Sequence, residues 1–190
     1  METLSKLFSS AARLKLLRLF LFNDDTAFSA KDAAFRAKVS LSQARKELAL
    51  LVSAGVLKKR TVQSRTLFTT NRRIGVYDAL QRFVRDTTEI SDARIISNLK
   101  KAGTLRQITL TGVFTGALEP KVDILVIGDR LDDRVLSTAV HALEAELGRE
   151  LRYASFTSQD FRYRVGVYDR LVRDVFDYAH RTVFEKSSLS

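Results

Sequence analysis

The first half of the chain is organised around residues 38–55, KVSLSQARKELALLVSAG. Ser40 and Gln43 have the spacing of a helix capping box, in which each side chain bonds the backbone of the other residue. Apolar residues then recur at helical intervals until Gly55, which stands where a left-handed C-terminal cap is expected. The stretch therefore predicts a capped helix. Its polar and cationic outward face carries Ser42, Gln43, Arg45 and Lys46.

Downstream of this helix the hydrophobic period changes from helical to alternating. Residues 57–70, LKKRTVQSRTLFTT, predict a β-hairpin that turns at Gln63 and Ser64. Most of its outward positions are basic or polar. The cations of the hairpin are Lys58, Lys59, Arg60 and Arg65.

Three further helices are predicted around these two elements. Apolar spacing predicts one over 4–21, a short one over 30–37 with Ser29 as its N-cap, and one over 74–86. The expected order is helix, short helix, capped helix, hairpin and closing helix. The closing helix is expected to bury Tyr77, Leu80, Phe83 and Val84.

The net positive charge of the chain lies entirely in this half. Residues 1–88 contain 17 Lys and Arg against 7 Asp and Glu, a net charge of +10, whereas residues 89–190 contain 15 of each kind. A basic half joined to a neutral half predicts two domains, 1–88 and 89–190, of which the first faces a polyanion. The cations are spread over several elements rather than one amphipathic helix, which favours nucleic acid over a membrane surface.

Composition excludes several classes of site. The chain has no cysteine, so it forms no disulfide, thiolate zinc site or cysteine nucleophile, and we expect a cytoplasmic location. His141 and His180 have no clustered partner ligands, and no glycine-rich phosphate loop occurs. We therefore expect no metal site, no cofactor and no catalytic residue. No secretory signal, membrane span or internal repeat is expected either.

The element order of residues 1–88, together with the run 38–48, resembles the winged helix-turn-helix domains of small bacterial and archaeal metal-sensor-type repressors. The resemblance implies a transcriptional regulator that binds double-stranded DNA, with the capped helix in the major groove and the hairpin along the backbone. The residues that would face bases and nearby phosphates are Ser42, Gln43, Arg45 and Lys46. Those that would face phosphates are Lys58, Lys59, Arg60 and Arg65.

Helix-turn-helix proteins commonly read two half-sites as symmetric dimers, so we expect a homodimer without a membrane partner. The dimer surface is expected on the helices over 4–21 and 74–86, whose Leu and Phe content exceeds what a small winged helix buries. A small effector or a protein partner is also compatible with this class. Metal sensing is not expected, because residues 1–88 contain neither Cys nor His.

The neutral half predicts a small mixed α/β domain. Its expected elements are a helix over 91–102, strands over 106–114 and 122–127, a helix over 131–147, a strand over 151–157, a helix capped by Ser158, and a short strand over 182–184. A turn is expected at Glu119-Pro120. The run 122–127 is nearly all apolar, the pattern of a strand covered on both faces. The helix after Ser158 is expected to turn Phe161, Val165 and Tyr168 inward.

Residues 110–126 resemble the minimal nucleotidyltransferase fold of the polymerase-beta superfamily. Active members have a Gly-Ser pair after the first strand and two acidic residues, one apart, on the second; the carboxylates bind divalent cations that activate the attacking oxygen. Here Gly112 matches the glycine, Val113 replaces the serine, Lys121 replaces the first aspartate, and only Asp123 remains. The departures imply a nucleotidyltransferase-like domain that has lost catalysis.

The sequence thus predicts an α+β chain in which an N-terminal winged helix-turn-helix precedes a small mixed α/β nucleotidyltransferase-like domain. The predicted function is a sequence-specific DNA-binding transcriptional regulator whose second domain serves dimerisation or sensing. Two alternatives stay open: a nucleotidyltransferase that acts on protein or RNA, and an antitoxin-like protein that binds a partner.

Overall fold

The computed structural model describes residues 2–116 and 121–186, so the turn predicted at Glu119-Pro120 lies outside the described residues. The chain is a mixed α+β protein with two separate sheets. It divides into two compact units. The first unit comprises residues 1–90 and 141–149, and the second comprises 91–140 and 150–190.

The first unit contains five helices among its described residues before position 90. They are α1 (Glu2–Leu7), α2 (Ala11–Phe22), α3 (Ala30–Arg36), α4 (Leu41–Ser53) and α5 (Tyr77–Thr87). The single helix predicted over 4–21 is wrong, because the chain breaks at Ser9, whose φ is 56°. Ser10 then caps α2 by accepting a hydrogen bond from the Arg13 backbone N–H at 3.1 Å. The predicted cap of α3 is confirmed, since Ser29 and Asp32 form a capping box.

The sheet of the first unit has three antiparallel strands in the order β1-β3-β2. They are β1 (Phe28–Ser29), β2 (Leu57–Val62) and β3 (Arg65–Thr70). The predicted hairpin is confirmed: Val62 pairs with Arg65 across a two-residue turn. Gln63 and Ser64 have φ of 46° and 64°, the pattern of a type I′ turn, whose twist matches that of the flanking strands.

The core of the first unit forms between α2, α3, α4 and the sheet. α4 contributes Ala44, Leu48 and Leu51, which follow its predicted apolar stripe. The closing helix buries less than predicted, since only Val84 of its four expected positions is fully buried and Phe83 is exposed. α5 contacts α2, and its Tyr77 and Leu80 are only partly buried against this core, so part of its apolar face stays accessible.

The second unit is built on a four-stranded sheet in the order β6-β5-β4-β7. Its strands are β4 (Thr104–Leu110), β5 (Ile124–Asp129), β6 (Tyr153–Phe156) and β7 (Arg181–Glu185). β5 and β6 are parallel, and the other pairs are antiparallel. The helices are α6 (Asp92–Leu99), α7 (Asp133–Leu147), α8 (Ser158–Gly166) and α9 (Arg170–Asp177), with 3-10 turns at Lys100–Ala102 and Gly112–Phe114. The strand predicted at 122–127 is confirmed as buried on both faces.

Two predictions for the second unit are wrong. The strand expected over 106–114 ends at Leu110, because the chain turns at Gly112–Phe114. The single helix expected after Ser158 is two helices, α8 capped by Thr157 and α9 capped by Asp169. The break comes at Tyr168, whose φ is 55°, and it leaves Val165 and Tyr168 exposed rather than inward.

The second half of α7 belongs to the first unit although the first half belongs to the second. Within the first unit, the buried Arg18 guanidinium donates to the Glu146 carbonyl oxygen at 2.8 Å, and Asn23 donates to that of Gly148 at 2.8 Å. Both bonds satisfy carbonyl oxygens at the C-terminal end of α7. Such oxygens receive no hydrogen bond from an N–H group of their own helix. Among the described residues, no helix is long and apolar enough to cross a membrane.

Candidate functional site

The N-terminal end of α4 is held by the predicted capping box. The Gln43 backbone N–H donates to the Ser40 hydroxyl at 3.2 Å, and the Ser40 backbone N–H donates to Gln43 Oε1 at 3.2 Å. Both side chains are exposed, together with those of Ser42, Arg45 and Lys46. A bidentate contact to adenine needs the amide oxygen and the amide nitrogen of a glutamine together. With Oε1 used in the cap, Gln43 offers only its amide nitrogen, and Arg45 is the side chain on this face best suited to base recognition.

The inner face of α4 is held against α2 by a partly buried ion pair. Arg13 Nε donates to Glu47 Oε2 at 2.8 Å, and another Arg13 nitrogen donates to the Phe8 carbonyl oxygen at 2.8 Å. Burial alone would raise the pKa of the Glu47 carboxyl, but hydrogen bonds from Ser10 and Arg13 and the charge of Arg13 hold that pKa below its ordinary value. The pair fixes α4 on the core while its neighbours Arg45 and Lys46 point away.

The cations of the hairpin lie on two different faces. Side chains alternate along a strand, and paired residues share a face, so Lys58, Arg60 and Arg65 lie on one face of the sheet. Lys59 pairs with the buried Phe68 and lies on the opposite, core-side face. All four cations are exposed: Lys58, Lys59 and Arg60 lie on the edge strand β2, and Arg65 directly follows the hairpin turn. The prediction grouped the four as equivalent, whereas the structure places three of them together and one apart.

The exposed charged side chains of α4 and the hairpin are all positive. Residues 41–70 contain six cations and a single carboxylate, Glu47, which is buried against Arg13. None of the six cations forms an ion pair with a described carboxylate. Arg72, two residues after this segment, donates to Asp24 at 2.6 Å and so has a partner of its own. Unpaired, exposed Lys and Arg side chains on adjacent elements are free to neutralise phosphate groups.

Lys38 adds a cation that the sequence interpretation did not assign to this surface. It is exposed two residues before the cap of α4, and its φ is 48°. Its place beside the N-terminal end of α4 follows from the turn between α3 and α4. The only sequence signal was its nearness to the Ser40 cap.

The residues of the second motif surround one buried carboxylate. Asp123 is 1% exposed. Its Oδ1 accepts from the Val113 backbone N–H at 3.0 Å and from Arg152 Nη2 at 3.0 Å, and its Oδ2 accepts from the Arg152 backbone N–H at 2.9 Å and Arg152 Nε at 3.1 Å. Burial alone would raise the pKa of Asp123, but these hydrogen bonds and the charge of Arg152 hold it below its ordinary value. Gly112 is required here, because a Cβ would lie 2.1 Å from Asp123 Oδ1.

This donor set does not fit the divalent cations that a nucleotidyltransferase uses. The four N–H donors occupy the lone-pair directions of the Asp123 carboxylate, and the guanidinium already neutralises its charge. Lys121 is exposed and adds a second positive charge in place of a ligand. In the part of the chain that the structure describes, no three acidic or histidine side chains cluster as metal ligands. Sequence reasoning missed Arg152, whose role appears only when β5 and β6 pair.

The structure thus groups the predicted residues into two sites, one in each unit. The exposed face of α4 carries Ser42, Arg45 and Lys46. The strand β2, which contacts α4, carries Lys58, Lys59 and Arg60, and Arg65 lies on β3. Gly112, Val113 and Asp123 converge on Arg152, with Lys121 exposed nearby in the chain. Comparison of the chain with protein-family models, curated proteins and solved structures finds no match.

Proposed function

We propose that the first unit is a winged helix domain that binds double-stranded DNA and that the protein is a sequence-specific transcriptional regulator. The observation that carries the proposal is a set of exposed cations on α4 and on one face of the hairpin that have no ion-pair partner among the described residues: Arg45, Lys46, Lys58, Arg60 and Arg65. The one carboxylate of these two elements faces the core. A duplex presents a dense row of phosphates, and such a surface supplies salt-dependent affinity for it.

The two elements have different tasks in this proposal. α4 enters the major groove, where Arg45 can donate two hydrogen bonds to guanine and Ser42 and Lys46 contact bases or nearby phosphates. The hairpin follows the backbone and contributes Lys58, Arg60 and Arg65 to phosphates. The Arg13–Glu47 pair supports the role given to α4, because it holds the helix against α2. A recognition helix must be held rigidly if its side chains are to select a sequence.

The second unit is proposed to be a nucleotidyltransferase-like domain without catalytic activity, used for dimerisation, for effector sensing or for a protein partner. The hydrogen bonds that Asp123 accepts from Arg152 and Val113 support this, since they occupy the one carboxylate left in the motif. The rival activity, magnesium-dependent transfer of a nucleotide, has a direct test. Incorporation of label from a nucleoside triphosphate that disappears in Asp123→Ala would establish the enzyme and displace our proposal.

The proposed function is tested by fluorescence anisotropy of the purified protein with DNA from upstream of its own gene and with scrambled DNA of equal length, over a salt series. We expect tight binding that prefers the upstream DNA and persists at physiological salt. The double variant Lys58→Ala/Arg60→Ala should weaken binding to both duplexes. Lys101→Ala, which removes an exposed cation from the second unit, is the matched control and should leave binding unchanged. Weak, equal binding that vanishes with salt would overturn the proposal.

A further inference from the structure

The exposed polar side chains of α4 differ in whether they can accept a hydrogen bond. Arg45 and Lys46 are exposed and carry only N–H donors. The one carboxylate of the helix, Glu47, has a side chain only 8% exposed and accepts from Arg13. Every residue of α4 is described, and none of its exposed side chains is acidic. Apart from two serine hydroxyls, which can donate or accept, the acceptor capacity of this helix depends on the amide of Gln43.

The amide oxygen of Gln43 is already bonded within the protein. The Ser40 backbone N–H and the Ser40 hydroxyl both donate to Gln43 Oε1, each at 3.2 Å. A backbone N–H can only donate, so the atom that faces it has to be the amide oxygen rather than the amide nitrogen. A contact through Oε1 would first have to break the capping box. Gln43 therefore offers an outside partner its Nε2 donor.

The donors of Gln43, Arg45 and Lys46 leave α4 on two flanks. Successive residues of an α-helix are about 100° apart around its axis, so Gln43 and Arg45 are about 160° apart. Lys46, three residues after Gln43, is its neighbour on the same flank. When a helix lies in a groove, side chains on opposite flanks reach different base pairs. Arg45 and the Gln43–Lys46 pair are therefore suited to two separate positions of a site.

The four bases differ in what their major-groove edges offer to such donors. Guanine presents two adjacent acceptors, O6 and N7. Adenine and cytosine each present an amino group, which needs an acceptor, and thymine presents one acceptor beside a methyl group. Each flank of α4 brings two or more donors, and guanine is the base that can accept from two of them at once.

We propose that α4 selects guanine at two base pairs of each site, one through Arg45 and one through Gln43 Nε2 together with Lys46. The inference rests on the proposed function and names the bases that the recognition helix reads. An A·T pair at either position leaves a donor that has lost its water and gained no acceptor, which lowers affinity. Cytosine is rejected on the contacted strand because its amino group would face another donor.

Selection from a library of random duplexes by the full chain, followed by base analogues, tests the inference. We expect the enriched duplexes to share two G·C pairs. Replacing either guanine by 7-deazaguanine, which lacks the N7 acceptor, should weaken binding about 10-fold. Inosine keeps O6 and N7 and loses only the amino group in the minor groove, so it is the matched control and should leave affinity unchanged.

Two variants assign the guanines to side chains. Arg45→Ala should bind guanine and 7-deazaguanine equally at one position and keep the difference of about 10-fold at the other. Gln43→Glu keeps the capping box, since glutamate serves there as well as glutamine, and adds a carboxylate. Its second position should change from guanine to cytosine, whose amino group donates to a carboxylate. Arg162→Ala, at an exposed arginine on α8, is the control variant and should alter neither position.

Enriched duplexes that share fewer than two G·C pairs would overturn the inference and leave the proposed function standing. A 7-deazaguanine effect that persists at both positions in Arg45→Ala would overturn it as well, as would a Gln43→Glu variant that still selects guanine at both. A protein that enriches no duplex at all would overturn the proposed function and this inference together. Circular dichroism of each variant checks that it is folded.

Discussion

At the scale of single residues, the proposed DNA binding assigns most of the sequence selectivity to Arg45. It is exposed on α4, it has no described partner, and its neighbour Gln43 has its amide oxygen in the capping box. A guanidinium can bond two guanine acceptors at once, whereas a lysine that meets a phosphate carries no sequence information.

Arg45→Ala should therefore lower affinity for the specific duplex by about 1–3 kcal/mol and affinity for scrambled DNA much less. The measurement is the pair of dissociation constants at one salt concentration. Gln43→Ala should mainly weaken the cap, so its effect is expected in thermal stability as well as in binding. If Arg45→Ala weakened both duplexes equally, Arg45 would be a phosphate contact and another side chain would select the sequence.

Glu47 makes the stability of the first unit sensitive to acid. The carboxylate is buried and its pKa is held below the ordinary value, so the fold favours the ionised form. A depressed pKa contributes stability that is present above the ordinary pKa of the glutamate, 4.5, and is lost as the pH falls through the pKa of the folded state. Glu47→Gln should cost about 1–3 kcal/mol of unfolding free energy near pH 7, and that deficit should shrink below about pH 4.5.

Urea unfolding of the wild type and Glu47→Gln at several pH values measures this deficit. Glu89→Gln, at an exposed carboxylate of the same unit, is the control and should show almost no deficit at any pH. A deficit for Glu47→Gln that stayed constant down to pH 3 would mean that the ion pair with Arg13 is not the source of the stability.

At the scale of elements, the hairpin separates two cations that are adjacent in the chain. Lys58 shares a face with Arg60 and Arg65, whereas Lys59 lies on the face of Phe68. Lys58→Ala should reduce the slope of log affinity against log salt by about one, and Lys59→Ala, which removes the same charge one residue away, should leave the slope nearly unchanged. Equal slopes for the two variants would contradict the proposed contact through one face of the hairpin.

A substitution in the turn of the hairpin is expected to make the protein more stable. Gln63 and Ser64 both have positive φ, which glycine adopts without the steric cost that a Cβ imposes. Ser64→Gly should raise the free energy of unfolding by about 1 kcal/mol. Ser64→Ala keeps the Cβ and removes only the hydroxyl, so chemical denaturation should find little change for it. A glycine variant that was no more stable than the alanine variant would contradict the assignment of backbone strain to this turn.

At the scale of the whole molecule, the first unit depends on a glycine far along the chain. Gly148 has φ of 78°, and a Cβ there would lie 2.5 Å from the backbone carbon of Arg18. Gly148→Ala should therefore lower the unfolding free energy of the first unit by about 2 kcal/mol or more, through strain and a clash together.

Gly55 provides the matched control, because it has φ of 75° and its nearest neighbour is an ordinary contact at 3.9 Å. Gly55→Ala should cost only the conformational strain, about 1 kcal/mol. Unfolding followed by circular dichroism compares the two variants. Equal losses would mean that residues 141–149 contribute little to the stability of the first unit.

Local signals in the sequence were enough for several elements of the fold. The cap at Ser40, the helix that follows it, the hairpin and the buried strand at 122–127 were all predicted and are observed. Each depends on interactions within a few residues, such as a side chain that bonds a nearby N–H or an alternation with a period of two. The cations on α4 and the hairpin could be named from the sequence for the same reason.

The tertiary structure determined the helix breaks and the contacts between residues that lie far apart in the sequence. The breaks at Ser9 and Tyr168 interrupt continuous apolar spacing, because each helix packs on a core whose position the spacing does not encode. Arg152 meets Asp123 only because β5 and β6 pair, and residues 141–149 join the first unit through bonds to Arg18 and Asn23. By itself the sequence determined the capped helix, the hairpin, the buried strand and the sign of their charge. The folded chain decided where the other helices break and which side chains meet, because contacts between distant residues depend on the packing of the whole core.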